Sequence, residues 1–213
     1  MQVRRTANAG VLLELDGVKL LLDGVCGRVD PYLETPPEEK ASLLADPPQA
    51  VLFTHGHWDH CDASFIPAYL EKTAGPVMGP ADIPYCTADA KQIGNVKITP
   101  VESRHIGKND GSLHQSYVIE GSRCVWFLGD AAPVTWRKRT DIPKPDVIIA
   151  PYAYATGNAW QLCKDLGTKT VVLLHLPEKT NDPYGLWDAV KQTVGEDTTP
   201  ALLIPQMGET ITL

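Results

Sequence analysis

Ala50-Val51-Leu52-Phe53-Thr54-His55-Gly56-His57-Trp58-Asp59-His60 is a short apolar run that empties into a cluster of imidazoles around one carboxylate. Ala50 to Phe53 suits a buried strand, being brief, apolar and preceded by Pro47-Pro48. Three of the six histidines lie within residues 55–60, and that density is rarely a chance surface run. Imidazole and carboxylate together suit zinc, manganese or iron, and these spacings set four ligands around a loop rather than along one helix face. The cluster falls at the C-terminal end of a strand, where α/β proteins gather their chemistry.

Working outward, Val11–Leu15 and Val18–Leu22 flank Asp16-Gly17, a strong two-residue hairpin signal. Pro36-Pro37-Glu38-Glu39 opens a helix that closes before Asp46-Pro47-Pro48. Asp62–Lys72 reads as a helix whose start is bent or displaced by Pro67. Strands are expected over 96–101, 116–120 and 123–128 (a hairpin around Gly121-Ser122), 146–150, 171–174 and 201–204. Helices are expected over about 159–166, closed by Gly167, and over 185–194. Alternating strands and helices in both halves place the chain in the α/β class, with helices covering the outsides of packed sheets.

The chain has 213 residues, which fits one domain spanning 1–213. Nineteen basic against 26 acidic residues give −7, a balance that disfavours DNA or RNA as partner. Five dispersed cysteines without a CxxC pair suit a reducing compartment. The apolar run after the N-terminal arginines is broken by Glu14 and Asp16, and no window is long enough to span a membrane. The expected location is the cytoplasm.

His55-x-His57-x-Asp59-His60 at the end of a buried strand resembles the signature of the metallo-β-lactamase superfamily. The resemblance implies a four-layer αββα sandwich with two metals at one edge between the sheets. It also implies further ligands downstream at strand ends, and His105, Asp130 in Leu128-Gly129-Asp130, and His175 stand there. By this analogy His55, His57 and His105 hold one metal, Asp59, His60 and His175 the other, and Asp130 bridges them. His114 competes with His105 for the third position, because it lies closer to the strand 116–120. Asp23, in Leu21-Leu22-Asp23-Gly24, matches the family's early aspartate and is expected to orient a ligand by hydrogen bonding.

What the resemblance implies chemically is hydrolysis, with two divalent ions, zinc first and manganese or iron as alternatives. Two cations sharing a carboxylate can share a water, whose pKa falls toward neutrality. Asp59 is then both a ligand and the group for orienting the nucleophile or carrying its proton. The substrate is expected to be small and polar or anionic, with an ester, lactone, thioester or phosphodiester bond. Redox chemistry is disfavoured, because the di-iron branch carries glutamate where this chain has His57. Asp62 resembles, on one residue, the branch of ascorbate-6-phosphate lactonase and of the phospholipase D acting on N-acyl-ethanolamine lipids. The alternatives are an RNA-processing nuclease of the same superfamily and a non-catalytic metal-binding scaffold. Pocket candidates are Arg104, Lys108, His114, Tyr152 and Tyr154, the basic ones for a phosphate or carboxylate. Trp58 is expected to pack on or cover the metal loop, and Cys61 to pack.

Overall fold

A computed structural model describes residues 1–107, 111–137, 139–197 and 199–213. Two sheets face each other. The first runs in the order β13 (Thr210–Thr212), β1 (Gln2–Arg5), β2 (Val11–Leu15), β3 (Val18–Leu22), β4 (Ala50–Leu52), β5 (Val77–Met78). The second runs β12 (Ala201–Leu203), β11 (Thr170–Leu174), β10 (Val147–Pro151), β9 (Cys124–Phe127), β8 (Gln115–Glu120), β7 (Val96–Glu102), β6 (Lys91–Ile93). The Asp16-Gly17 turn carries φ of 52° and 79° and sets the register Leu15 opposite Val18, as a primed two-residue turn requires.

Period-2 alternation sorts the strand residues into three apolar layers. Leu20 and Leu22 face Ile149, Val172 and Leu174 between the sheets. Leu21 and Val51 point the other way, onto α1 (Pro37–Ala45) and α2 (Phe65–Lys72) through Leu43, Ile66 and Tyr69. On the far side Ile148, Val171 and Leu173 pack under α3 (Ala159–Asp165) and α4 (Leu186–Val194) with Trp160, Leu162 and Val190. The result is the expected αββα stack.

α2 begins at Phe65 rather than at Asp62, so Pro67 sits in the first turn, where its missing N–H is no loss. Asp62 instead stands before the helix, accepting from Ser64 N at 3.1 Å and ion-pairing with Lys40 at 2.8 Å. That structural duty explains the aspartate which suggested a particular branch. β3 pairs with β4 and β4 with β5 in parallel, as do β9, β10, β11 and β12 in the other sheet. Several strand ends therefore open on one edge of the sandwich. No helix among the described residues is long and apolar enough to cross a membrane.

Candidate metal centre

The loop after β4 is bound at its base before any imidazole is placed. Asp23, just past β3, is fully buried and accepts from Thr54 N at 2.7 Å, Thr54 Oγ1 at 2.5 Å and His60 Nδ1 at 2.9 Å. A carboxylate only accepts, so His60 carries its proton on Nδ1 and turns Nε2 to the opposite side. Thr54 Oγ1 also lies 3.0 Å from His55 Nδ1. His105 Nδ1 is 2.6 Å from the Ile106 carbonyl, which fixes its proton in the same way.

The ligand-type atoms of His55, His57 and His105 lie within 4.8 Å of one another, and so do those of Asp59, His60 and His175. Asp130 stands between the two groups. Its oxygens are 3.4 Å from His60 Nε2 and 3.7 Å from both His105 Nε2 and His175 Nε2. His175 Nε2 is 3.2 Å from Asp59 Oδ2. Asp23, His55 and His60 form a third such group, but both Asp23 oxygens are already engaged by Thr54 and His60.

Donor chemistry supplies the test of fit. The Nε2 atoms of His55, His60, His105, His114 and His175, together with Asp130 Oδ1, are buried without a hydrogen-bond partner. Buried polar atoms are nearly always satisfied, and six such atoms gathered in one place need a shared partner. Two ligands of one tetrahedral cation, each at about 2.0–2.1 Å, stand about 3.3 Å apart. The 3.4 Å and 3.2 Å separations match that spacing and lack the alignment of hydrogen bonds. The residues therefore fit two divalent ions.

Electrostatics point the same way. Burial alone would drive the His60 imidazole down, yet Asp130 and Asp23 on either side hold it well above its ordinary value. Burial opposes ionisation of Asp130, but His175 and His60 keep its carboxyl well below the usual range. Asp59 is also held low against burial, by His175 and His60. Buried carboxylates on this scale call for positive charge between them. Asp23 differs: desolvation raises it despite its hydrogen bonds.

The backbone is strained at two of these positions. Asp23 and His175 have φ of 44° and 58°, a region most L-residues avoid. Gly129, at φ 50°, precedes Asp130, and a Cβ there would meet Thr54 Cγ2 at 2.5 Å. His105 is tied to the neighbouring chain by a bridge to Ala131 and by Ile106 N donating to Asp130 O at 2.7 Å.

His114 is buried beside the cluster, its ring 4.9 Å from His55, and its Nδ1 is 2.7 Å from Ser103 Oγ. The geometry groups His105, not His114, with His55 and His57. Arg104 is exposed and lines a cavity of about 490 Å³ together with His105 and His114. Lys108 lies outside the described residues. Tyr152 lies 6.1 Å from His175 between ring centres. Tyr154 turns inward instead: it is 1% exposed and its hydroxyl donates to Ala131 O at 2.8 Å, so it is a core residue and not part of the rim. Burial pushes the Cys61 thiol up, which suits packing. Trp58 is 53% exposed and lies against Gly27.

Sequence reading missed Tyr32, whose ring meets His175 edge-on at 4.3 Å, and the hydroxyls of Thr54 and Ser103. Thr54 had a signal, since it joins the strand to the first histidine. Tyr32 had none, because only the tertiary fold brings its loop to His175.

Comparison with known proteins agrees with this fold. Over 100% of its length the chain superposes on isothiocyanate hydrolase from Delia radicum gut bacteria, covering 99% of that chain, with 18% identity and a TM-score of 0.70. A protein described as a possible metal-dependent hydrolase from Veillonella parvula gives 17% identity and a TM-score of 0.72, with 100% and 99% covered. CmlA, a diiron β-hydroxylase from Streptomyces venezuelae, gives 14% and 0.66, with all of this chain matched to 54% of that one. A search of curated proteins finds no match. The sequence matches the β-lactamase superfamily domain over residues 3–175. With that match covering most of its length, the αββα stack and the histidine–aspartate edge in place, the chain belongs to the metallo-β-lactamase superfamily.

Proposed function

We propose that the chain is a binuclear metal-dependent hydrolase of a small polar or anionic substrate carrying an ester, lactone or phosphodiester bond. The observation that carries this is the gathering of five partnerless imidazole Nε2 atoms and Asp130 Oδ1 on one buried edge. His55, His57 and His105 hold one ion in this reading, Asp59, His60 and His175 the other, and Asp130 joins them. Zinc suits the donor set, with manganese or iron as alternatives. Divalent ions supply an activated water near neutral pH and polarise the oxygen of the bond to be cleaved.

The protein's own part is positional. Asp23 and Thr54 set the tautomers of His60 and His55, so that nitrogen lone pairs face inward. Asp59 is more open to solvent than the buried Asp130, and it is kept ionised. Its free carboxylate oxygen is the group placed to take the proton from water and return it to the leaving group. Tyr32 and Tyr152 flank His175 as protonated phenols, since burial raises both, and they offer hydrogen-bond donors to the substrate.

The test is metal analysis of the purified protein, coupled to turnover of a panel of lactones, esters and bis-p-nitrophenyl phosphate. Two equivalents of metal and a turnover abolished by chelation or by Asp59→Ala are expected. Less than one equivalent, with no uptake of added zinc or manganese, refutes the reading. Cleavage or retention of RNA at low salt would favour a nuclease instead.

A further inference from the structure

A second cavity, of about 610 Å³, lies beside the metal edge and is lined by Arg5, Asn8, Leu33, Leu176, Trp187 and Met207 among others. It adjoins the centre through the chain itself. Leu176 directly follows His175, and His175 N donates to Asn8 O at 3.2 Å.

Arg5 and its neighbour Arg4 are treated differently by the fold. Arg4 ion-pairs with Glu39 at 2.9 Å. Arg5 has no carboxylate partner among the described residues. Its guanidinium donates to three backbone carbonyls instead: Nε to Ala7 O at 3.2 Å, Nη1 to Pro205 O at 3.2 Å, and Nη2 to Asn8 O at 3.1 Å. Those bonds use three of its five N–H groups and fix its plane, but leave its charge uncompensated. Desolvation by burial accordingly disfavours the charged form.

At the rim, Lys179 is exposed and rests over the Trp187 ring at 4.7 Å, adding positive charge. Glu178, the acid lining the cavity, is exposed and makes no ion pair with Arg5. Leu33, Leu176, Ile204 and Met207 supply apolar wall, beside the polar Thr180 and Gln206.

We propose that this cavity binds a small amphiphilic carboxylic acid. Arg5 receives its carboxylate, and Leu33, Leu176 and Met207 hold its apolar body. A guanidinium with N–H groups to spare is suited to a planar carboxylate, and such charge-assisted bonds are the strong ones. The site does not depend on metal, so it stands or falls apart from the hydrolase reading.

The probe is octanoate, titrated calorimetrically into the purified metal-loaded protein and again after chelation. One site is expected in both, with acetate and octanol each at least about tenfold weaker, because one lacks the body and the other the charge. Arg5→Lys keeps the charge and gives up the guanidinium fork, and is expected to weaken octanoate at least about tenfold. Met207→Trp, which fills part of the apolar wall, is expected to weaken octanoate similarly with fold and metal content unchanged. No heat at millimolar octanoate overturns the proposal. So does equal binding by wild type and both variants, or loss of binding on chelation alone, which places octanoate on the metals.

Discussion

Asp23→Asn separates holding a metal from orienting its ligand. The amide oxygen can keep the Thr54 N–H bond now made at 2.7 Å by Oδ1. The amide nitrogen then replaces Oδ2, which accepts from Thr54 Oγ1 at 2.5 Å and from His60 Nδ1 at 2.9 Å. A donor facing His60 Nδ1 forces that nitrogen to become an acceptor, and the ring proton moves to Nε2, the atom facing Asp130 at 3.4 Å. A protonated Nε2 cannot bind a cation, so His60 must either lose the hydrogen bond or lose the ion. Changes of this kind cost about 10–100-fold in metal affinity, or about 1.4–2.7 kcal/mol. The loss should fall on the ion held by Asp59, His60 and His175, while the group of His55, His57 and His105 keeps its own. Chelator competition followed by mass-spectrometric metal counting reads this directly: one equivalent weakened, one unchanged. Two equivalents bound with wild-type affinity, in a folded variant, would refute the assignment of Asp23 as the orienting group.

Gly129→Ala forces a Cβ to within 2.5 Å of Thr54 Cγ2 at a φ of 50°. The left-handed backbone costs about 1–2 kcal/mol and the overpacking about 1–3 kcal/mol, so urea unfolding should show a loss of about 2–5 kcal/mol. A change under about 1 kcal/mol would show that the seam between Thr54 and Asp130 is looser than described. His114→Gln tests a pH effect in the metal-stripped protein. Burial, outweighing the opposing field of Asp130, pushes the His114 imidazole down to about 3. The unfolded chain protonates it near its ordinary value of about 6.5, so between those values the unfolded state binds the extra proton and stability falls as pH falls. This residue's share is about 1.4 kcal/mol per pH unit over that window, and the variant should lose that slope. Identical pH–stability curves for variant and wild type would remove His114 from the acid response.

The central strands were legible because Val18–Leu22, Val147–Pro151 and Thr170–Leu174 are short apolar runs; being apolar on both faces, they do not state which residue faces which layer. Four strands were not. β1 and β13 are short and rich in Arg and Thr; β1 is held between β2 and β13, and β13 is the edge strand paired with β1 alone. β5 and β6 have two and three residues, too few to show a period. The candidate ligands were legible for a different reason. Metal chemistry restricts residue type severely, and the fold family sets their order along the chain. Tyr154 shows the limit of position alone. It stands two residues from Tyr152 on the same short turn, yet its hydroxyl is captured by Ala131 O inside the outer core.

The acidic balance of the chain bears on its substrate only through the site. Asp23, Asp59 and Asp130 are three carboxylates gathered around one cluster of histidines, all less than a fifth exposed at the side chain. In such an environment their mutual repulsion is weakly screened, so the cluster favours cations among the carboxylates. In the proposed binuclear reading, two divalent cations against Asp59 and Asp130 would leave the centre net positive. The same −7 that disfavours a polyanion over the whole surface is therefore compatible with an anionic small molecule at this one edge. Arg5 extends the argument, since its uncompensated guanidinium lies along the chain segment that holds His175. A carboxylate with an apolar body meets positive charge there too, although the chain as a whole carries −7.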